Sequence, residues 1–160
     1  MSRIYTVPWQ ATVTAAGGDT DLFELTPAAQ KPIKLRGLIL SQFSEVGDAA
    51  EESVRISIIR LPATVTSGNG TAVTPVPLDS ADVAAGFTGE YNSTTVATTS
   101  GTAAVVQEFA WNLRSTPCEL WWPDPAFAPK VKNAEALIVR MQSTLADDAS
   151  FACTAYVEEE

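Results

Sequence analysis

The chain alternates large apolar and small polar residues with a period of two along almost its whole length. Tyr5, Val7, Trp9, Ala11 and Val13 fall in one register, and Thr6, Gln10, Thr12 and Thr14 in the other. Successive side chains of a strand point to opposite faces of its sheet, so this pattern predicts a half-buried strand from about Arg3 to Ala15. Pro8 lacks an N–H donor, which places that stretch on a sheet edge or at a bulge. Gly17-Gly18-Asp19 then predicts a turn, and Asp21 to Thr26 a short strand with Phe23 and Leu25 on one face. From Ile33 to Phe43, Ile33, Leu35, Gly37 and Ile39 alternate with Lys34, Arg36, Leu38 and Leu40. Apolar residues on both faces of its second half predict a central strand covered on each side. Ser53 to Leu61 repeats the pattern, with Val54, Ile56 and Ile58 inward and Arg55 and Ser57 outward.

The second half is more broken. Pro62 to Pro77 carries the turn signal Ser67-Gly68-Asn69-Gly70, read as a projecting loop. Asp79 to Ala85 offers one helical turn, capped by Asp79 or Ser80. Tyr91 to Thr99 is a Thr-rich strand or loop. Ala103 to Leu113 returns to alternation, with Val105, Phe109 and Trp111 on one face and Glu108 and Asn112 on the other. Glu119 to Trp122 is a short strand running into the proline-rich corner Pro123 to Pro129. Leu137, Val139 and Met141 mark the next strand, and Phe151, Cys153, Ala155 and Val157 the last. Glu158-Glu159-Glu160 reads as a solvated tail. About eight strands without repeat or linker predict one domain over residues 1–160. The expected fold is all-β: an antiparallel sandwich of jelly-roll or related Greek-key type, with at most one short helix.

Composition narrows the chemistry. The 160 residues are 46% apolar and 18% charged, enough for a core without metals or disulfides, and they include no histidine. Histidine is the side chain that most readily moves protons or holds transition metals near neutral pH. Without that base, and with lysines scattered, no Ser or Thr has an activating partner, so the chain is expected not to be an enzyme and to carry no cofactor. Glu108 and Glu119 are the remaining candidates for a glycosidase-type carboxylate pair, but they read better as outward-facing strand residues. The acidic loop Glu45, Asp48, Glu51 and Glu52 offers oxygen ligands without the alternation of known calcium loops, so no metal is assigned.

Cys118 and Cys153 each sit in a strand pattern and are expected to be free buried thiols in a reducing cytosol, with a cross-strand disulfide as the alternative. A net charge of −9 argues against nucleic acid. Among the basic residues Lys31, Lys34 and Arg36 lie close together. No apolar run reaches the length of about 20 residues that spans a bilayer, and no signal segment opens the chain, so synthesis in a cytosol is expected.

Trp121, Trp122, Phe127 and the surrounding prolines form the most unusual local composition. Adjacent tryptophans on a strand face opposite ways. One is expected to close the end of the core, leaving the other to anchor a protein interface or to stack on a sugar ring.

Three segments carry a resemblance: Asp21-Leu22-Phe23-Glu24-Leu25-Thr26-Pro27 with Lys31-Pro32-Ile33, Ser44 through Glu52, and Thr154-Ala155-Tyr156-Val157-Glu158-Glu159. Together they resemble small virion proteins of tailed bacteriophages, and the chain is similar to head decoration, or cement, proteins. The resemblance implies a β-rich homo-oligomer, dimer or trimer, bound to the major capsid protein on the outside of the shell after synthesis in the bacterial cytoplasm. It implies no cofactor, nucleic acid or membrane. Interface roles are expected for Tyr5, Trp9, Trp121 and Trp122, and residues 1–15 are a possible edge-strand docking arm. A carbohydrate-binding or adhesion module of the virion, or a tail or neck component, is the alternative.

Overall fold

Wherever the alternation is strict, the chain is strand. A computed structural model describes residues 2–15, 18–44 and 51–160. Its strands are β1 (Arg3–Val13), β2 (Thr20–Thr26), β3 (Ile33–Gln42) and β4 (Ser53–Leu61), then the short β5 (Val65–Thr66), β6 (Thr71–Val73), β7 (Val76–Pro77), β8 (Thr88–Tyr91) and β9 (Thr98–Thr99). They are followed by β10 (Ala104–Asn112), β11 (Cys118–Trp121), β12 (Lys130–Val131), β13 (Ala136–Met141) and β14 (Ala149–Glu159). No α-helix forms among the described residues; at Asp79 the chain makes one turn, with Asp82 N–H donating to Asp79 O and Ala81 N–H to the Asp79 carboxylate.

One sheet runs β11-β3-β14-β1-β7, with β12 also paired to β3, and the other runs β10-β4-β13-β2-β8-β6. Without β5 to β9 and β12 the orders are β11-β3-β14-β1 and β10-β4-β13-β2. Every connection between successive strands of this set then crosses from one sheet to the other, except β4 to β10. That is the winding of a jelly roll, two Greek keys folded into a sandwich. The strand order thus selects the jelly roll from the Greek-key folds that the sequence left open.

The core lies between the sheets. Tyr5, Val7, Phe23, Leu25, Leu35, Leu38, Leu40, Ile56, Ile58 and Phe151 are buried in one cluster, each contributing about 1.5–3 kcal/mol on removal from water. Trp9 stacks on Tyr91 at 5.0 Å between ring centres and meets Phe23 edge-on, while Trp111 meets Phe151 edge-on at 5.5 Å. A second, smaller cluster of Ile59, Leu61, Ala97, Ala136 and Ile138 lies on the other side of β4 and β13. It explains why β13 is apolar without alternation: both its faces are covered.

Four features depart from the sequence reading. In β3 the partner register steps from Tyr156↔Gly37 to Val157↔Leu35, so Arg36 is the extra residue of a bulge. Downstream of it Leu38 and Leu40 take the core register, and Gly37 and Ile39 do not. A second bulge, between Val105 and Gln107 of β10, leaves Val105 exposed beside Val106, while Trp111 stays buried. The segment between β4 and β10 does not project. Gly68 N–H donates to Glu24, Ala97 N–H donates to Asp21, and the Asn69 side chain bonds Ser93 and Thr95.

The fourth departure is the C-terminus, where Glu158, Glu159 and Glu160 are no solvated tail. Glu158 pairs with Arg36, Glu159 with Lys31 at 3.3 Å, and Glu160 with Lys34 and Lys130. Glu159 also accepts the N–H groups of Gly86 at 2.8 Å and Phe87 at 3.1 Å. The basic cluster visible in the sequence is therefore met by its own chain's acids. Burial raises the Glu158 carboxyl, but bonds from Arg36 and Ser2 outweigh it and the net direction is down. Lys130 and Lys34 hold Glu160 below its ordinary range. A lowered carboxyl contributes stability above the ordinary value of 4.5 that is lost as pH falls through the lowered range. Amide exchange at the end of β14 is expected to accelerate there before the central strands open; uniform exchange down to global unfolding would refute the clasp.

Cys118 and Cys153 are both free, and both stand opposite Leu40 on either side of β3. Two strand spacings, roughly 9–10 Å, separate them, beyond the reach of a disulfide. Burial pushes the Cys153 thiol up to about 12 and also raises Cys118. In the native protein an aromatic disulfide reagent is expected to leave Cys153 unmodified and to react slowly with Cys118, both becoming reactive in denaturant. Fast native labelling of Cys153 would contradict this packing.

Candidate interaction surface

The bulge at Arg36 turns Gly37 outward, and the space above it is filled from the neighbouring strand. Trp121 stands opposite Gly37 in β11, and a Cβ on Gly37 would overlap its indole ring. On the other flank Gly37 faces Tyr156 of β14, whose ring centre lies 4.9 Å from that of Trp121 at a tilt of 46°. The Trp121 indole N–H donates to Glu119 at 3.1 Å. Half of the Trp121 surface, 50%, remains open to solvent. Trp122 faces the opposite way and packs against the core, the division expected for neighbouring tryptophans on a strand.

Arg36 fixes this end of β11. Its Nε donates to Trp122 O at 3.0 Å, its Nη2 to Pro123 O at 2.7 Å, and its Nη1 pairs with Glu158, while Trp122 N–H bonds Arg36 O. The result is an apolar groove of about 470 Å³ walled by Ile4, Leu78, Trp121, Trp122, Pro123 and Tyr156. Leu78 is 59% exposed, and Phe127, in the adjoining proline corner, 79%. Exposed aromatic and aliphatic side chains on a hydrogen-bonded scaffold provide the rigid anchors that protein interfaces use. Gly37→Ala is expected to push the indole off the sheet and to shift its fluorescence, with a loss of roughly 1–3 kcal/mol from overpacking; an unchanged spectrum would mean that the ring does not rest there.

The other candidates fall elsewhere. Tyr5 and Trp9 are core residues, 0% and 6% exposed, which corrects the expectation that they reach a partner. The Tyr5 hydroxyl donates to Val83 O. All eleven residues of β1 pair with β14, and Tyr5 and Thr6 also pair with β7, so residues 3–13 are a built-in strand of their own sheet rather than a free arm. Beyond Thr6 its outer side is the edge on which Pro8 is tolerated.

Glu108 lies on β10 of one sheet, bonded to Ser57 and Arg55, and Glu119 on β11 of the other, so the two do not converge on a common substrate. Glu45 and Asp48 of the acidic loop lie outside the described residues, and Glu52 accepts the N–H of Ala146 at 2.7 Å. Tyr156, Leu78 and Ile4 were missed as surface residues. Tyr156 was legible as the outward register of β14, but its proximity to Trp121 depends on strand pairing.

No protein-family model matches the chain, and no curated protein does. Among solved structures it is similar to a structure of the infectious bursal disease virus Gx strain, at 15% identity and a TM-score of 0.27, over 99% of this chain and 41% of that one. A crystal structure of the infectious bursal disease virus VP2 subviral particle aligns at 14% identity and a TM-score of 0.25, over 98% of this chain and 41% of that one. The chain spans about two fifths of the length of those viral chains. With overlaps this loose, the jelly-roll assignment stands on the strand order alone.

Proposed function

We propose that this chain is a virion structural protein, a decoration protein on the outside of a tailed-phage head. In this reading its Trp121–Tyr156 face lies against the major capsid protein, and copies associate as dimers or trimers after synthesis in the bacterial cytoplasm. The observation that carries it is a jelly roll, an architecture of viral capsid domains, bearing an exposed aromatic shelf braced by its own strands. Many modest contacts repeated over a symmetric lattice would together resist internal pressure. Quantitative peptide mass spectrometry of purified virions tests this directly. A copy number near that of the major capsid protein, or a simple lattice fraction of it, is expected. A handful of copies per particle would assign a tail or neck position instead, and absence would overturn the virion reading.

A second reading is favoured by one feature. The half-exposed Trp121 ring, with Glu119 bonded to its N–H, also suits stacking on a sugar, and lectins use the same fold. Quenching of tryptophan fluorescence by members of a glycan panel would support it, and a flat response would remove it.

A further inference from the structure

In a chain of net charge −9, seven of the ten basic residues are held in ion pairs: Arg3, Lys31, Lys34, Arg36, Arg55, Lys130 and Arg140. Among the described residues Arg60, Arg114 and Lys132 have no acidic partner, and two of these three share one groove. Arg60 and Lys132, with Lys130, line a depression of about 490 Å³ whose apolar lining is Pro62, Ala104 and Val131. Its single acid, Glu135, is already engaged, accepting the N–H of Lys132 at 3.0 Å.

The fold produces this concentration. Arg60 continues the inward register of Val54, Ile56 and Ile58, but at the end of β4 that register opens to solvent. Ala104 stands opposite it at the start of β10, the edge of one sheet. Lys130 and Val131 come from β12, which pairs with the start of β3 in the other sheet. The cations therefore gather at the mouth between the two sheets.

We propose that this groove docks an acidic peptide segment of a protein partner. Arg60 would grip one carboxylate through its planar fork and Lys132 a second, while the methylenes of the segment lie on the half-buried Pro62 and Ala104. The rest of the molecule excludes a long polyanion: a surface of net −9 repels a nucleic-acid backbone on either side of a patch this small. The inference leans on the proposed assembly role only in expecting the partner to be a protein.

The test is a titration of the isotope-labelled full chain with a hexaglutamate peptide at low ionic strength, followed by amide chemical shifts. Shifts are expected at Thr102, Ala104, Val131 and Lys132, and they should fade with added salt. Arg60→Glu with Lys132→Glu is expected to weaken binding by about tenfold or more, while Arg114→Glu, at an unpaired cation outside the groove, leaves it unchanged. The spectrum of each variant reports whether it folds, and the milder Arg60→Gln replaces the double variant if it does not. Absence of shifts in the groove, or an equal loss in Arg114→Glu, would overturn the proposal. So would tighter binding of an oligonucleotide or of tripolyphosphate than of hexaglutamate, or concentration-dependent self-association that the groove variants abolish. Binding of hexaglutamate by a protein absent from virions would leave this inference standing while overturning the assembly reading.

Discussion

Replacing Arg140 by methionine is expected to destabilise the fold by about 3–5 kcal/mol, because it strands a buried carboxylate. Asp21 is fully buried at 0% exposure, and Nε and Nη2 of Arg140 donate to its two oxygens. Asp21 also accepts the Ala97 N–H at 2.7 Å, Arg140 donates to Ala97 O at 2.9 Å, and the backbones of Asp21 and Ser93 exchange two bonds of 2.9 Å. One ion pair thus ties β2, β13 and the long segment between β4 and β10. Burial already pushes the Asp21 carboxyl above its ordinary value of 3.8 despite this arginine, and removing the guanidinium pushes it further up. A carboxyl raised in the folded state binds its proton more tightly folded than unfolded. The deficit of the variant is therefore complete at neutral pH and shrinks as pH falls through the raised value. Urea unfolding at pH 7 and at pH 5 reads both effects. The double variant Asp21→Leu, Arg140→Met, which removes both charges, is expected to recover most of the loss. A single-variant loss below about 1 kcal/mol would mean that the pair contributes no more than a surface contact.

Sheet geometry was legible where burial is one-sided. Strand patterns in the sequence mark all eight jelly-roll positions, by strict alternation in half-buried strands such as β1, which must place their apolar set in one register, and by aromatic content in the short β11. It failed where the period is interrupted. Arg36 and Val105–Gln107 sit at bulges, which change the face of every later residue without any change in composition. It also failed where pairing joins distant segments. Glu158 to Glu160 look like a soluble tail until β14 lies beside β3 and brings Lys34 and Arg36 to them. Tyr5 and Trp9 illustrate the same limit: a large aromatic in an alternating strand faces either a core or a partner, and period two does not distinguish them. Only Trp121 and Trp122, two aromatics in consecutive positions, forced one side chain outward, and there the expectation matches the fold.

In the proposed decoration role, Trp121→Ala is expected to cost at least about 2 kcal/mol of binding to capsid shells lacking this protein, roughly a thirtyfold loss of affinity, because an aromatic anchor carries a disproportionate share of the energy of a contact. The fold should barely respond. The ring is half solvent-exposed, lies on Gly37 beside Tyr156, and leaves no enclosed cavity when removed. Trp111→Ala is the instructive contrast. That indole is 2% exposed, meets Phe151 edge-on and donates to Ser115 O at 3.1 Å, so its loss should lower stability by about 3–5 kcal/mol. Any binding defect in it should follow the unfolded fraction. Co-sedimentation with shells and urea unfolding, run on both variants, separate an anchor from a core residue. A twofold change or less in shell binding for Trp121→Ala, with the protein folded, would move the docking face away from the shelf. Loss of glycan quenching in the same variant, with shell binding intact, would assign the shelf to sugar. A surface whose aromatics rest on a glycine and are braced by Arg36 and Glu158 stays rigid in either role, and that rigidity limits the entropy lost when a partner arrives.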